Sequence, residues 1–242
     1  MTTEPATYQV PTSDGPMPAL LWRGDEAPGR PGIVVMQEIF GLSDYVRRRC
    51  ADLAALGYVV LAPQIYWRIG GDVVTDDEAN PLERAFALMQ RADWDSAVAD
   101  GAEAVRELRR VVGEAQVGVV GFCYGGGLAY AATASLEGAD APDALVSYYG
   151  SALPQLVEAQ VRVEVASLHH FGTADDYLPM EQVEAIRSWV SDSGSRDDVE
   201  VQLHEGAGHA FDNPNPMFHH AQASAVAWVQ TKDWLAAHLP LS

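Results

Sequence analysis

Of the 242 residues only two are cysteine, and a single lysine, Lys232, is present. A disulfide framework needs many more cysteines in a chain this long. Cys50 falls within a predicted helix and reads as a small buried apolar residue, which leaves Cys123 to explain. Positive charge is scarce: 15 basic side chains stand against 34 acidic ones, for a net charge of −19. Such a field repels nucleic acid and anionic membrane surfaces, so neither is expected as a partner. It also disfavours anionic substrates unless local cations oppose it. No uninterrupted apolar run approaches the roughly 18 residues that span a bilayer. The opening M-T-T-E-P-A-T-Y has neither a basic nor an apolar leader segment, so a reducing, cytoplasmic setting is expected.

What is present alternates between short apolar runs and amphipathic stretches. Residues 7–10 and 17–23 flank a Ser13-Asp14-Gly15 turn and predict an antiparallel hairpin. Gly24–Gly32 reads as a loop. Ile33–Met36, Val59–Pro63, Gln116–Gly121, Ala144–Tyr149, Ala166–Phe171 and Val199–Leu203 predict strands. Runs without polar alternation suit strands covered on both faces. Helices are predicted from Ser43 or Asp44 to Gly57, over Pro81–Arg91, through Trp94–Leu108, over Met180–Val190 and over Ala221–His238. Strands alternating with helices predict an α/β fold: one domain over residues 1–242, with a mostly parallel central sheet and helices on both faces. Residues 64–80 form a long irregular segment, of the kind that usually makes a functional rim or lid.

The stretch V-G-V-V-G-F-C-Y-G-G-G-L-A-Y (117–130) places Cys123 between Gly121 and Gly125 where a strand gives way to a helix. This has the form of a nucleophile elbow, with Cys where Ser is more usual. The G-x-C-x-G pattern alone is often just a turn, so the rest of the chain has to supply partners. In elbow enzymes an acid and then a His follow the nucleophile, each just past a later strand. Asp175 and Asp176 follow the Ala166–Phe171 strand, and His209 follows the Val199–Leu203 strand. The thiol would attack a carbonyl, the imidazole would move the proton, and the carboxylate would orient the ring. The N–H groups of Ile39 and Tyr124 occupy the positions that would hold the oxyanion. The pairs His169-His170 and His219-His220 lack zinc spacing, and no metal or cofactor is expected.

G-F-C-Y-G-G, with M-Q-E-I-F-G at 36–41, G-T-A-D at 172–175 and G-A-G-H-A-F at 206–211, resembles the dienelactone hydrolase family, a cysteine branch of the α/β-hydrolases. The resemblance runs from about Ile33 to the C-terminus. It implies the α/β-hydrolase fold and an ester- or lactone-hydrolysing activity, and it selects Asp175 over Asp176. It also implies that Glu38 pairs with Cys123 in a resting state until substrate displaces it. The lactone-degrading members grip a substrate carboxylate with two arginines; here Leu82 and Asn213 stand at those positions, and neither offers guanidinium geometry.

The expected activity is hydrolysis of carboxylic esters or lactones through an acyl-cysteine. The alternatives are a broad esterase or thioesterase for small neutral esters, and a non-catalytic hydrolase-fold redox sensor or ligand-binding protein. Tyr66, Trp67, Arg68, Arg84, Phe86, Tyr148 and Phe211 are candidate pocket walls. The expected partner is a small-molecule ester or lactone, bound by a monomer or small homo-oligomer.

Overall fold

The computed structural model describes residues 4–23, 29–71, 73–75 and 78–241. The predicted loop over 24–32 lies partly outside these, as do positions 72, 76 and 77 of the 64–80 segment. Among the described residues the strands are β1 (Ala6–Thr12), β2 (Gly15–Trp22), β3 (Gly32–Met36), β4 (Val59–Pro63), β5 (Val117–Phe122), β6 (Ala144–Tyr148), β7 (Ala166–Gly172) and β8 (Val199–His204). They form one sheet in the order β1-β2-β4-β3-β5-β6-β7-β8. β1 and β2 pair as the antiparallel hairpin, and β2 runs antiparallel to β4. From β4 to β8 every pairing is parallel.

β3, β4, β5 and β6 are buried along their whole length. Their near-continuous apolar sequences fit strands covered on both faces. Parallel register brings Met36 beside Gly121, Phe122 beside Tyr148, and Gly172 beside His204. The loops that leave β3, β5, β7 and β8 therefore open along the carboxyl edge, where open α/β sheets build their sites.

The helices are α1 (Asp44–Leu56), α2 (Pro81–Arg91), α3 (Trp94–Val112), α4 (Tyr124–Ala134), α5 (Leu153–Glu158), α6 (Met180–Val190) and α7 (Ala221–His238). Ser43 caps α1 by accepting the Val46 N–H, and Gly57 ends it with φ 115°, a left-handed conformation that favours glycine. α4 is almost wholly buried, and its Gly and Ala residues let it lie close against β5, β6 and α3. At Gly125 a Cβ would sit 2.3 Å from the Met36 carbonyl oxygen, so no other residue fits that turn without moving backbone.

The first part of the 64–80 segment has a regular turn that its sequence does not suggest. Ile65–Ile69 form a 3₁₀ turn closed by Gly70. Asp100, buried on α3, accepts hydrogen bonds from Trp67 Nε1 at 2.7 Å and from Arg68 Nη2 at 2.7 Å, and these hold the turn against α3. Among the described residues no helix is long and apolar enough to cross a membrane.

Candidate active site

β5 delivers Cys123 to a turn with φ 54° and ψ −116°. A non-glycine residue seldom adopts that conformation, and it persists only where its surroundings enforce it. Those surroundings are visible. The Cys123 N–H donates to the Tyr148 carbonyl at the end of β6, while its own carbonyl accepts from the N–H groups of Gly126 and Ser151. The side chain is left 7% exposed at the floor of a cavity.

The loops after β7 and β8 bring two further groups to it. His209 Nε2 lies 3.1 Å from Cys123 Sγ, and His209 Nδ1 lies 2.8 Å from Asp175 Oδ2. The other oxygen of Asp175 accepts the backbone N–H groups of Tyr177 and Leu178. The carboxylate is thus buried, oriented by its own loop, and turned toward the ring. Asp176 is exposed. Burial works against a charged His209, but attraction to the Cys123 sulfur and the hydrogen bond to Asp175 outweigh it and raise the ring to about 10. Tyr149 and Tyr177 flank the imidazole, with ring centroids at 5.3 and 5.1 Å.

Glu38, in the loop after β3, is buried, and its Oε1 accepts a hydrogen bond from Asn213 Nδ2 at 2.8 Å. The thiol is engaged with His209 here, so the resting arrangement implied by the resemblance, with sulfur turned to Glu38, is not the one this structure holds. Ile39 lines the cavity. Tyr124 is the first residue of α4, where backbone N–H groups lack intrahelical acceptors.

The cavity measures about 260 Å³. Cys123, His209, Glu38 and Ser151 make its polar part; Ile39, Phe40, Phe218 and Tyr177 form walls. Leu82, Phe86 and Met89, one face of α2, close it. Of the seven predicted wall residues, only Phe86 lines this cavity. Tyr66 is buried behind it, with its hydroxyl on the Ile39 carbonyl at 3.1 Å. Trp67 and Arg68 turn to Asp100, and Arg84 pairs with Glu78. Tyr148 donates to, or accepts from, Thr231 within the core, and Phe211 is packed against Tyr149 and His204. Leu82 and Met89 escaped sequence reasoning as wall residues, although Leu82, Phe86 and Met89 fall at helical spacing along one face. Asp212, fully buried, was also missed. It binds Arg49 of α1, Tyr45 and Ser224, and nothing local in the sequence signals that.

Among the described residues no group of three or more His, Cys, Asp or Glu side chains could hold a metal ion. The arrangement brings a thiol, an imidazole and a buried carboxylate together beneath a largely apolar chamber.

Residues 17–239 match the model of the dienelactone hydrolase family. A carboxymethylenebutenolidase from Pseudomonas putida is 30% identical over 220 residues, covering 90% of each chain. Carboxymethylenebutenolidase 1 of Cupriavidus pinatubonensis is 31% identical over 211 residues, covering 85% of this chain and 86% of its own. Among solved structures, a dienelactone hydrolase-like promiscuous phosphotriesterase from metagenomic libraries superposes with a TM-score of 0.73. It is 23% identical and covers 97% of this chain and 99% of its own, so it bears on the fold alone.

Proposed function

The chain belongs to the dienelactone hydrolase family and is a carboxylic ester hydrolase, and we propose that it cleaves esters or lactones through an acyl-cysteine intermediate on Cys123. The observation that carries this reading is the unbroken run of contacts from Sγ through both ring nitrogens of His209 to Asp175. A redox sensor has no use for an acid-oriented imidazole beside its thiol, which favours catalysis over the non-catalytic alternative.

The steps follow from the geometry. The Cys123 thiolate attacks the substrate carbonyl carbon, an S–C bond forms, and the π electron pair moves onto oxygen. The N–H groups of Ile39 and Tyr124 receive that oxyanion. The intermediate collapses, the ester C–O bond breaks, and His209 gives its Nε2 proton to the leaving oxygen. Water then enters, passes a proton back to His209 and attacks the thioester; the acid leaves and the thiolate returns. Asp175 holds the ring in register throughout and offsets its positive charge. Glu38, tethered by Asn213, stands beside the nucleophile as a supporting acid, so Glu38→Gln changes the pH profile of Cys123 alkylation. One α/β-hydrolase domain carries all these groups, and the substrate is a small-molecule ester or lactone.

The test is turnover of p-nitrophenyl acetate with and without prior iodoacetamide, combined with intact mass analysis of quenched enzyme. Alkylation of Cys123 should abolish turnover, and quenched enzyme should carry one acetyl group on that residue. Turnover unaffected by Cys123 alkylation refutes the proposal.

A further inference from the structure

Among the described residues, no arginine or lysine lines the cavity. Besides Cys123 and His209, its polar lining is Glu38 and Ser151, and most of the remaining wall is apolar. Leu82, Phe86 and Met89 are only half-buried, although Ala85 and Leu88 of the same helix are fully packed. α2 therefore has two apolar stripes, one seated in the core and one facing the chamber. Apolar surface left partly open around a cavity gains most from an apolar occupant.

The arginines in the surrounding elements are committed or set apart. Arg68 binds Asp100 and Asp14 on α3 and the β1–β2 turn. Arg84 points away from the chamber to Glu78. Arg48 lines a neighbouring cavity of about 390 Å³ together with Asp44, and Glu38, Phe40 and Phe218 border both that cavity and the chamber. Asn213 offers little to a substrate anion, because its carbonyl accepts the Asn215 N–H while its amide nitrogen donates to Glu38. A carboxylate entering the chamber would lose its hydration and meet no arginine or lysine in the described lining, the imidazole of His209 being already held between the Cys123 sulfur and Asp175, within a protein of net charge −19. The volume, about 260 Å³, falls below the roughly 300–1,000 Å³ of sites for drug-sized ligands, so the occupant is small.

Resting on the ester-hydrolase reading above, we propose that the substrates are small, uncharged esters or lactones whose acyl portion is apolar and lies against Leu82, Phe86 and Met89. Substrates with a carboxylate on the acyl side are rejected by that wall together with Glu38.

The discriminating pair is p-nitrophenyl butyrate and p-nitrophenyl hemisuccinate, which share a leaving group and nearly share a shape, with rates corrected for uncatalysed hydrolysis. For the wild-type chain, kcat/KM should favour butyrate by about 30-fold or more, the size expected when a substrate carboxylate is desolvated against an apolar wall without a cation of its own. A smaller ratio, or failure to accept butyrate, overturns the inference while leaving the cysteine chemistry intact. In Leu82→Arg the ratio should fall about tenfold as a cation enters the wall; Met89→Arg serves if that variant does not fold. A folded arginine variant with an unchanged ratio also counts against the proposal. Loss of the cysteine chemistry registers differently: p-nitrophenyl acetate turnover that survives in Cys123→Ala contradicts the mechanism, whatever the charge preference.

Discussion

Arg49 and Asp212 stand 163 residues apart in the chain, yet Arg49 grips both carboxylate oxygens, with Nε at 2.7 Å and Nη2 at 2.5 Å. Asp212 also accepts from the Tyr45 and Ser224 hydroxyls, so a fully buried charge is satisfied on all sides. It lies three residues after His209, and this ion pair ties the loop carrying the imidazole to α1 and α7.

Cutting that tie should cost more than the pair contributes. Asp212→Ala leaves a largely buried guanidinium with only the more exposed Asp52 to pair with, and breaking a buried pair typically costs about 3–5 kcal/mol, so the loss should fall toward the lower end of that range. The expected result in urea unfolding is a midpoint shift of that size, with kcat for p-nitrophenyl acetate falling because His209 loses its anchor. Arg49→Met with Asp212→Leu should recover much of the stability but not the full kcat. A single variant as stable and active as wild type would show that the tie has no such role.

Stability should fall on both sides of neutrality, for opposite reasons. His209 is raised to about 10 by the Cys123 sulfur and Asp175, which outweigh its burial. As pH climbs from about 6.5 toward 10 the unfolded chain releases that proton while the folded one keeps it. Stability then declines, with a slope set by the sulfur–imidazole pair together and not by the ring alone. His169 and His204 are lowered to about 4, chiefly by burial, and His170 is lowered well below its usual range for the same reason. As pH drops below about 6.5 the unfolded chain takes up protons that the folded one refuses, and stability declines again. Thermal melts from pH 4 to 10 should trace a dome, and His209→Gln should flatten its alkaline limb. An alkaline limb unchanged by that substitution contradicts the assignment.

Two glycines should respond to alanine in opposite ways. At Gly125 the new Cβ would meet the carbonyl oxygens of Met36 at 2.3 Å and Gln37 at 2.4 Å, both backbone. At Gly101, within α3, it would meet the end of the Met36 side chain at 3.0 Å, which can shift. Helix propensity favours alanine there by about 1 kcal/mol. Gly125→Ala should yield inactive or insoluble protein, and Gly101→Ala should melt within a few degrees of wild type.

The elbow, and the strand ends that carry Asp175, Asp176 and His209, were legible because their signals are local, whereas the choice of Asp175 over Asp176 came from the resemblance. Glycines flank Cys123, an apolar run precedes it, and Asp175 and His209 each sit just past a strand. The strand boundaries were readable for the same reason; the short helix α5 was not, since Leu153–Glu158 is too brief for a period to register. The cavity wall was mostly misread. Tyr66, Trp67 and Arg68 belong to a segment that looks like a rim, but Asp100, on a helix 32 residues away from Arg68, turns it toward α3. Long-range pairings such as that one, or Arg49 with Asp212, leave no periodicity to read. The stripe Leu82, Phe86 and Met89 did leave one, as a second apolar face on α2.

β8 lies at the border of the sheet, pairs on one side only, and is the least covered of the parallel strands. The imidazole rides on the loop that follows it, whereas the sulfur stands on β5 near the middle. Border strands detach at a smaller free-energy cost than central ones. A transient peeling of that margin would draw His209 away from Cys123 while the bulk of the molecule kept its shape, so the contact between them has a lower threshold of disturbance than foldedness itself.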